Sequence, residues 1–337
     1  MDYPVSISVI MPNYNTDIPT LQEAVESILN QTFRDFEFLI IDDGSTNESV
    51  GYLKNIRDER VRVIWNPENV GVTKALNVGL REAKGKYIAR MDSDDISLPQ
   101  RFEKQFAYME KHPETVLCGS RVELFGTKNG LGMKPIRDTQ TYRARILFGY
   151  PGPMHPTIFV RHETLLDNNL QYTETLKYSQ DYRLYSQIVN YGKIYIFKKP
   201  LLRYRIHKKQ ISTVGLSIQM QCSKSTQRNC LEKLLGPITD EELDRHYIHS
   251  SGYDLGGTIN DEIVAWYDRI SEANKTAKIY DQKKLEKMIL FMKRRLVKLT
   301  FTKEMSFSQK ARMAVRYLPF DSCVRALLND ALKNMRK

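Results

Sequence analysis

Between Phe36 and Ser45 the chain reads FEFLIIDDGS. Six residues, five of them apolar, run straight into two carboxylates and a glycine. That is the pattern of a buried strand ending in a loop rather than of an amphipathic helix, which would space its apolar residues three and four apart. The same grammar appears upstream and downstream. Val5 to Met11 (VSISVIM) ends in Pro-Asn-Tyr-Asn, Val61 to Trp65 is a third apolar run, and Lys86 to Arg90 (KYIAR) ends in Met-Asp-Ser-Asp-Asp.

Helical patterns fill the intervals. Leu21, Ala24, Val25, Ile28 and Leu29 fall on one face, with Thr20 and Glu23 at capping-box spacing. Val50, Leu53 and Ile56 mark a second helix. A third, from about Thr73, aligns Leu76, Leu80 and Ala83 and is expected to stop at Gly85. Alternation of strand and helix predicts an α/β fold, with a mainly parallel, Rossmann-like sheet flanked by helices and joined by right-handed crossovers. In such a sheet the loops after the strands share one rim, where ligands bind. Pro12 to Asn15, Asp42 to Ser45, Asn69 to Gly71 and Asp92 to Asp95 should therefore meet. Further on, a helix follows Pro99, strand-like sequence covers 116–125 and 157–160, a helix runs from Asp181 to Tyr191, and Lys193 to Ile206 is extended.

The chain has 337 residues, 41% of them hydrophobic, enough for a sizeable core. No window approaches a membrane span, and Met1-Asp2-Tyr3-Pro4 lacks the charged-then-apolar start of a secretory signal, so a cytoplasmic location is expected. Cys118, Cys222, Cys230 and Cys323 are scattered without Cys-x-x-Cys spacing, which excludes a disulfide framework and a thiolate zinc site. The net charge of +11 is unevenly placed: residues 275–337 hold 17 Lys and Arg against 5 Asp and Glu, while the remainder is close to neutral. A domain of residues 1–215 and a basic helical appendage of 216–337 are expected.

Asp92-Ser93-Asp94 followed by Asp95 is the first chemical signal. Mg²⁺ and Mn²⁺ take hard oxygen ligands, commonly one or two protein carboxylates plus substrate phosphates. Alone, the triplet is no more than Asp and Ser clustering in a turn. Asp181, at a predicted helix start, has N-capping as its plain reading.

Taken together, the VSVIMPNYN-like first strand, NQTFRDFEFLIIDDGSTN, Asn69-Val70-Gly71 and YIAR before Asp-x-Asp resemble family 2 glycosyltransferases over residues 3 to 212. The resemblance implies the GT-A fold. It implies that Pro12, Asn13 and Tyr14 shape a nucleotide pocket with Tyr14 stacked on the base, and that Asp43 hydrogen-bonds uracil. Asn69, Arg90 and Ser93 would belong to the same donor pocket, Asp92 would lie near the ribose, and Asp94 would bind the Mn²⁺ or Mg²⁺ that bridges the diphosphate. Gln180-Asp181 stands where the family writes Glu-Asp, so Asp181 keeps the role of general base while Gln180 replaces an acceptor-side carboxylate. Tyr204-Arg205-Ile206-His207-Lys208-Lys209-Gln210-Ile211-Ser212 resembles YRxHxxQxS, which makes His207 a metal or diphosphate ligand. His155 resembles an acceptor-loop position.

A narrower likeness, through the ALNVGL run at Ala75–Leu80, YIARMDSDDI and YRIHKKQIS, is to bacterial lipooligosaccharide β-1,3-N-acetylglucosaminyltransferases and to capsule and O-antigen enzymes. It implies an inverting transferase moving N-acetylglucosamine from a UDP-sugar to a glycan acceptor. Two alternatives compete: a nucleotidyltransferase, which would ordinarily want a Gly-rich phosphate loop after the first strand, and a catalytically silent basic module. Basic residues from Lys283 to Lys298 alternate with Leu285, Met288, Ile289, Leu290, Phe291, Leu296 and Leu299, and a second such helix is expected from Arg312 to Arg336. Helices of this kind suit an anionic membrane surface better than nucleic acid, placing the protein at the inner face of the cytoplasmic membrane. Alternatively, the apolar face packs on a core.

Overall fold

The structure is a computed structural model that describes residues 3–132, 138–149, 152–207, 210, 215–250, 255–302 and 304–335. The chain clusters into two compact units. One comprises Met1–Thr139 and Pro151–Ser223, the other Gln140–Tyr150 and Lys224–Lys337. The boundary expected near residue 215 thus lies close to Ser223, and the short segment 140–150 clusters with the C-terminal helices instead of with the sheet.

The first unit opens as the alternating pattern requires: β1 (Val5–Asn13), α1 (Ile18–Leu29), β2 (Phe36–Asp43), α2 (Ser49–Lys54), β3 (Val61–Asn66), α3 (Val72–Glu82) and β4 (Gly85–Arg90). These four strands lie in the order β3-β2-β1-β4 and are all parallel. Beyond β4 the sheet turns mixed. The later elements are β5 (Ile96–Ser97), α4 (Arg101–Lys111), β6 (Thr115–Gly126), β7 (Gly130–Gly132), β8 (Phe159–Arg161), α6 (His162–Asp167), α7 (Gln180–Ile188) and β9 (Lys193–Ile206). β8 is antiparallel to β4 and β6, while β6 and β9 are parallel. An apolar core under α1 and α4 buries Ile7, Val9, Met11, Phe38, Ile40, Tyr87 and Phe102.

Three local expectations are corrected. Asp17, not Thr20, caps α1: its side chain accepts the Thr20 amide at 3.1 Å, and Pro19 sits in the first turn. Gly85 does not stop α3, which ends at Glu82 with extended Ala83 as its cap; Gly85 instead begins β4. Its smallness serves close approach. The Gly85 amide donates to Ser8 Oγ at 2.7 Å, and a Cβ at this position would fall 2.3 Å from the Ser8 nitrogen. Residue 157, expected as strand, belongs to a 3₁₀ turn, His155–Thr157.

The second unit holds residues 140–147 of α5 (Thr139–Leu147) and most of α8 (Leu216–Leu235), then α9 (Asp240–Ser250), α10 (Asp261–Ala277), α11 (Gln282–Thr300), α12 (Phe307–Tyr317) and α13 (Phe320–Met335). Buried His246 organises its centre. Nε2 donates to the Leu147 carbonyl at 2.8 Å, and Nδ1 accepts from Trp266 Nε1 at 3.0 Å, which fixes one neutral tautomer. Burial accordingly pushes His246 down to about 4.

Two expectations for this region change. The apolar face of α11 is not free, because Leu285, Met288, Ile289, Met292 and Leu296 are buried. The second basic helix is two helices, broken at Leu318-Pro319, where proline cannot continue the first; Arg336 lies outside the described residues. No helix of the described residues is long and apolar enough to cross a membrane. All four cysteines are buried and none is in a disulfide.

Gly85→Ala must push β4 from β1. We expect a loss of about 1–3 kcal/mol, the usual range for forcing extra volume into a packed interior, read as a lower urea midpoint. A wild-type midpoint would mean that the two strands can separate without cost.

Candidate active site

The carboxyl ends of β1, β2 and β3 are in register, with Asn13 opposite Asp42 and Asp43 opposite Asn66. β4 ends beside β1, and Met91 N still bonds to the Ile10 carbonyl at 3.0 Å. The sheet therefore delivers the Asp-x-Asp turn to the same rim as the first two loops.

That turn is held on every side. Arg90 and Asp92 form a two-pronged ion pair. Ser93 Oγ lies 2.8 Å from Thr16 Oγ1, joining the turn to the loop after β1. From β9, the Arg205 amide donates to Asp95 Oδ1 at 2.8 Å and its Nε donates to the Asp94 carbonyl at 2.8 Å. His207 Nε2 stands 2.9 Å from Asp94 Oδ2. Gln210 locks this strand end by donating to the Arg205 carbonyl at 2.6 Å and accepting from His207 N at 3.3 Å.

Carboxylate oxygens of Asp92, Asp94 and Asp95 lie within 4.8 Å of one another. Three like charges at that spacing disfavour ionisation. Burial, opposed by Arg90 and reinforced by Asp94, raises Asp92; burial, then Asp92 and Asp94, drive Asp95 well above its ordinary range. Asp95 Oδ2 is buried and has no hydrogen-bond partner. An all-oxygen set with one imidazole beside it fits Mg²⁺ or Mn²⁺, and a divalent cation would both relieve the repulsion and satisfy the orphan oxygen. The cluster thus fits the metal that the sequence implies, with Asp95 joining Asp94 and His207.

At the ends of β1 and β2, Asn13 is buried and donates to Asp42 Oδ2 at 2.8 Å. Asp43 is 3% exposed and accepts from Asn66 Nδ2 at 2.8 Å, Val70 N at 3.1 Å and Gly71 N at 2.8 Å. Its first task is to fold the 66–71 loop; with about four lone-pair directions it can accept one donor more. Tyr14 is 52% exposed, with a free face for stacking. Pro12 is half-buried and Asn69 exposed. A cleft of about 350 Å³ lined by Ser45, Thr46, Lys54, Trp65 and Pro67 opens beyond Asp42, but none of the three clustered aspartates reaches it.

On the other side, Gln180 is buried at the first position of α7 and Asp181 follows. Asp181 is not the N-cap. That place belongs to Ser179, held in the left-handed region at φ 55° and anchored by Oγ contacts to Gln219 O at 3.3 Å and Ser223 Oγ at 3.0 Å. Burial pushes the Asp181 carboxyl up, and Arg90 works against that rise. His155 Nε2 sits 2.8 Å from the Tyr172 hydroxyl. Burial, then the Arg90 charge, hold His155 well below its usual range, so the ring is neutral. Asn77 fixes Tyr172 by accepting from its amide at 2.9 Å and donating to its carbonyl at 2.8 Å. Arg90 acts electrostatically on Asp92, His155, Tyr172 and Asp181 alike, which puts it at the hub of the arrangement.

Several of these residues carry no obvious sequence signal. Tyr172 has none. Arg205 and Gln210 lie inside the segment that singles out His207, yet their roles depend on contacts that only the fold creates. Fully buried Arg101 donates to the Arg90 carbonyl at 2.7 Å, the Ile158 carbonyl at 3.3 Å and Gln105 Oε1 at 3.0 Å. Burial lowers it to about 9, still cationic at neutral pH, beneath the carboxylates. Its spacing with Phe102, Gln105 and Met109, all on the buried face of α4, is the one clue the sequence offers.

Residues 8–170 match the profile of Glycosyl transferase family 2. An uncharacterized glycosyltransferase of Haemophilus influenzae is 30% identical over 246 residues, covering 69% of this chain and 75% of that protein. The amylovoran biosynthesis glycosyltransferase AmsE of Erwinia amylovora is 34% identical over 191 residues, 55% of this chain and 70% of its own. In fold, the crystal structure of S. aureus TarS 1-349 in complex with UDP-GlcNAc superposes with a TM-score of 0.61 at 17% identity, covering 87% of this chain and 86% of that one.

Asp95→Asn keeps an acceptor for the Arg205 amide and removes one of three repelling charges. Because the folded state raises this carboxyl, its ionisation costs stability at neutral pH, and that cost fades as pH falls and the group takes up its proton. The metal-free variant should melt higher than wild type at pH 7, by about 2 °C or more, and the gain should shrink toward pH 5. An unchanged or lower melting temperature at pH 7 would refute the repulsion.

Proposed function

The chain belongs to glycosyl transferase family 2, and on that footing we propose that it is an inverting, metal-dependent transferase that moves N-acetylglucosamine from a UDP-sugar to a glycan hydroxyl in bacterial surface polysaccharide or lipooligosaccharide synthesis. The observation that carries this reading is the meeting, around Arg90, of the Asp92–Asp94–Asp95 cluster on one side and the shielded Asp181 carboxyl on the other. The UDP-GlcNAc bound to TarS and the polysaccharide role in the name of AmsE support the donor and the pathway class. Neither competing alternative, nucleotidyltransferase or silent basic module, has comparable support.

In this mechanism Tyr14 stacks on the uracil, Asp43 accepts its N–H, and Pro12, Asn13 and Asn69 shape the pocket. Arg90 and Ser93 hold the Asp-x-Asp turn, with Asp92 toward the ribose. Asp94, with Asp95 and His207 beside it, would hold Mn²⁺ or Mg²⁺, whose chemistry is to neutralise the diphosphate as negative charge builds on it. His155 and Gln180 orient the acceptor. Its hydroxyl oxygen bonds to the anomeric carbon from the face opposite the diphosphate, and its proton passes to Asp181. The bond from the anomeric carbon to the diphosphate oxygen breaks, and UDP leaves with that electron pair. Burial, by raising Asp181, makes it a stronger base than an exposed aspartate. The acceptor in this reading is a glycan or lipid-linked glycan met at the bilayer, and the basic C-terminal region suits work at the inner, anionic surface of the cytoplasmic membrane, with no nucleic-acid partner.

Asp94→Ala should stay folded yet lose Mn²⁺-dependent UDP binding and about 10²-fold or more in turnover, since charge neutralisation of this kind is worth several kcal/mol. Calorimetry with UDP, with and without Mn²⁺, decides this; binding unaffected by the substitution would end the metal assignment. Asp181→Asn should bind UDP-N-acetylglucosamine normally and lose about 10²- to 10⁴-fold in kcat. In wild type, kcat/KM should fall on the acid side with an apparent pKa above that of an ordinary aspartate. A loss of less than tenfold would remove Asp181 from the proton transfer.

A further inference from the structure

The last two helices leave much of their apolar surface outside. α12 buries Lys310 and Ala314, and α13, over its described side chains, buries Ser322, Cys323 and Ala326, while Met313, Tyr317 and Leu327 are half-buried. Five other large apolar side chains are exposed: Phe307 is 71% exposed, Val315 67%, Phe320 77% and Leu328 58%, with Val324 exposed between the last two. Phe307 and Val315 are eight apart on α12, and Phe320, Val324 and Leu328 recur every fourth residue on α13, so each set forms one stripe.

The concentration is also unusual. Of the fourteen exposed large apolar side chains among the described residues, seven fall between Phe291 and Leu328, including Leu299. Scattered single exposures need no explanation, whereas stripes mark interaction surfaces. Charge decides the occupant. Residues 275–337 carry 17 basic and 5 acidic residues, and Arg312 and Arg325 are exposed on the same two helices, as is Arg316, which pairs with Asp261. A second copy would bring one basic surface against another. An anionic lipid surface offers the complementary sign above and an apolar layer below.

We propose that the outward stripes of α12 and α13, with Phe307 and Phe320 as anchors, are the face by which this protein enters the interface of an anionic bilayer. The proposal rests on the reading that the acceptor is met at a membrane, and it moves the contact from the apolar face of α11, which is interior, to the two helices that follow. The phenyl rings sit among the acyl chains while the neighbouring Arg and Lys side chains meet lipid phosphates.

Full-length protein is sedimented with vesicles of phosphatidylcholine alone or mixed with phosphatidylglycerol, at low and high salt. Wild type should bind only the mixed vesicles and release at high salt. Phe307→Ser with Phe320→Ser leaves no cavity, since both rings are already exposed, and should weaken binding by about tenfold or more while sugar transfer to a soluble acceptor is unchanged. Phe320→Trp should bind like wild type and shift its fluorescence to the blue on mixed vesicles alone. Equal binding by wild type and the double serine variant would overturn the assignment of these stripes. So would light scattering that shows a wild-type dimer converted to monomer by the two serines. Wild type that binds neither vesicle would remove the membrane itself from the reading, while transfer to a soluble acceptor would still stand as a separate result.

Discussion

Three carboxylates on one turn, with oxygens within 4.8 Å of one another, are the constraint around which the first unit is arranged. Left alone they would push the turn open or take up protons. Arg90 grips Asp92, Arg205 fastens Asp94 and Asp95 through its side chain and backbone, and buried Arg101 holds the Arg90 carbonyl from below. The cations come from β4, β9 and α4, so the turn keeps its shape only when the parallel and the mixed halves of the sheet are both in place. Repulsion that persists in the folded state is what the cation proposed for this site would relieve.

The same economy governs the strand ends. Asn13 ties β1 to Asp42 on β2, and Asp43 gathers the loop after β3. These polar ties are buried, where an unmade hydrogen bond is costly, so they fix the rim more firmly than surface contacts could. The side that carries Asp181 and His155 is built by different means. Ser179 accepts a left-handed backbone so that α7 starts where it does, and Asn77 clasps the chain that presents Tyr172. Backbone strain and paired amides position groups here that no helix periodicity could place.

The second unit shows how one pattern can serve two readings. On α11, Leu285, Met288, Ile289, Met292 and Leu296 are buried, as the core-packing alternative has it, while Phe291 and Leu299 of the same helix are exposed. Exposed apolar side chains gather farther on, at α12 and α13, where Phe307, Val315, Phe320, Val324 and Leu328 face outward.

The sequence by itself determined the parallel half of the sheet, because each apolar run followed by a polar loop has only one economical place in an alternating fold, and it marked the rim loops; the resemblance to family 2 glycosyltransferases singled out Asp94, His207 and Asp181. It also located the basic excess, since charge is a property of composition. Only the tertiary structure decided that Gly85 serves a strand contact, that Asp17 caps α1, that Ser179 rather than Asp181 caps α7, and that Arg101, Arg205 and Tyr172 stand at the site. Each of those depends on residues tens of positions apart meeting across the sheet. Local periodicity carries which face of an element is apolar, but not which distant group will be waiting on the other side.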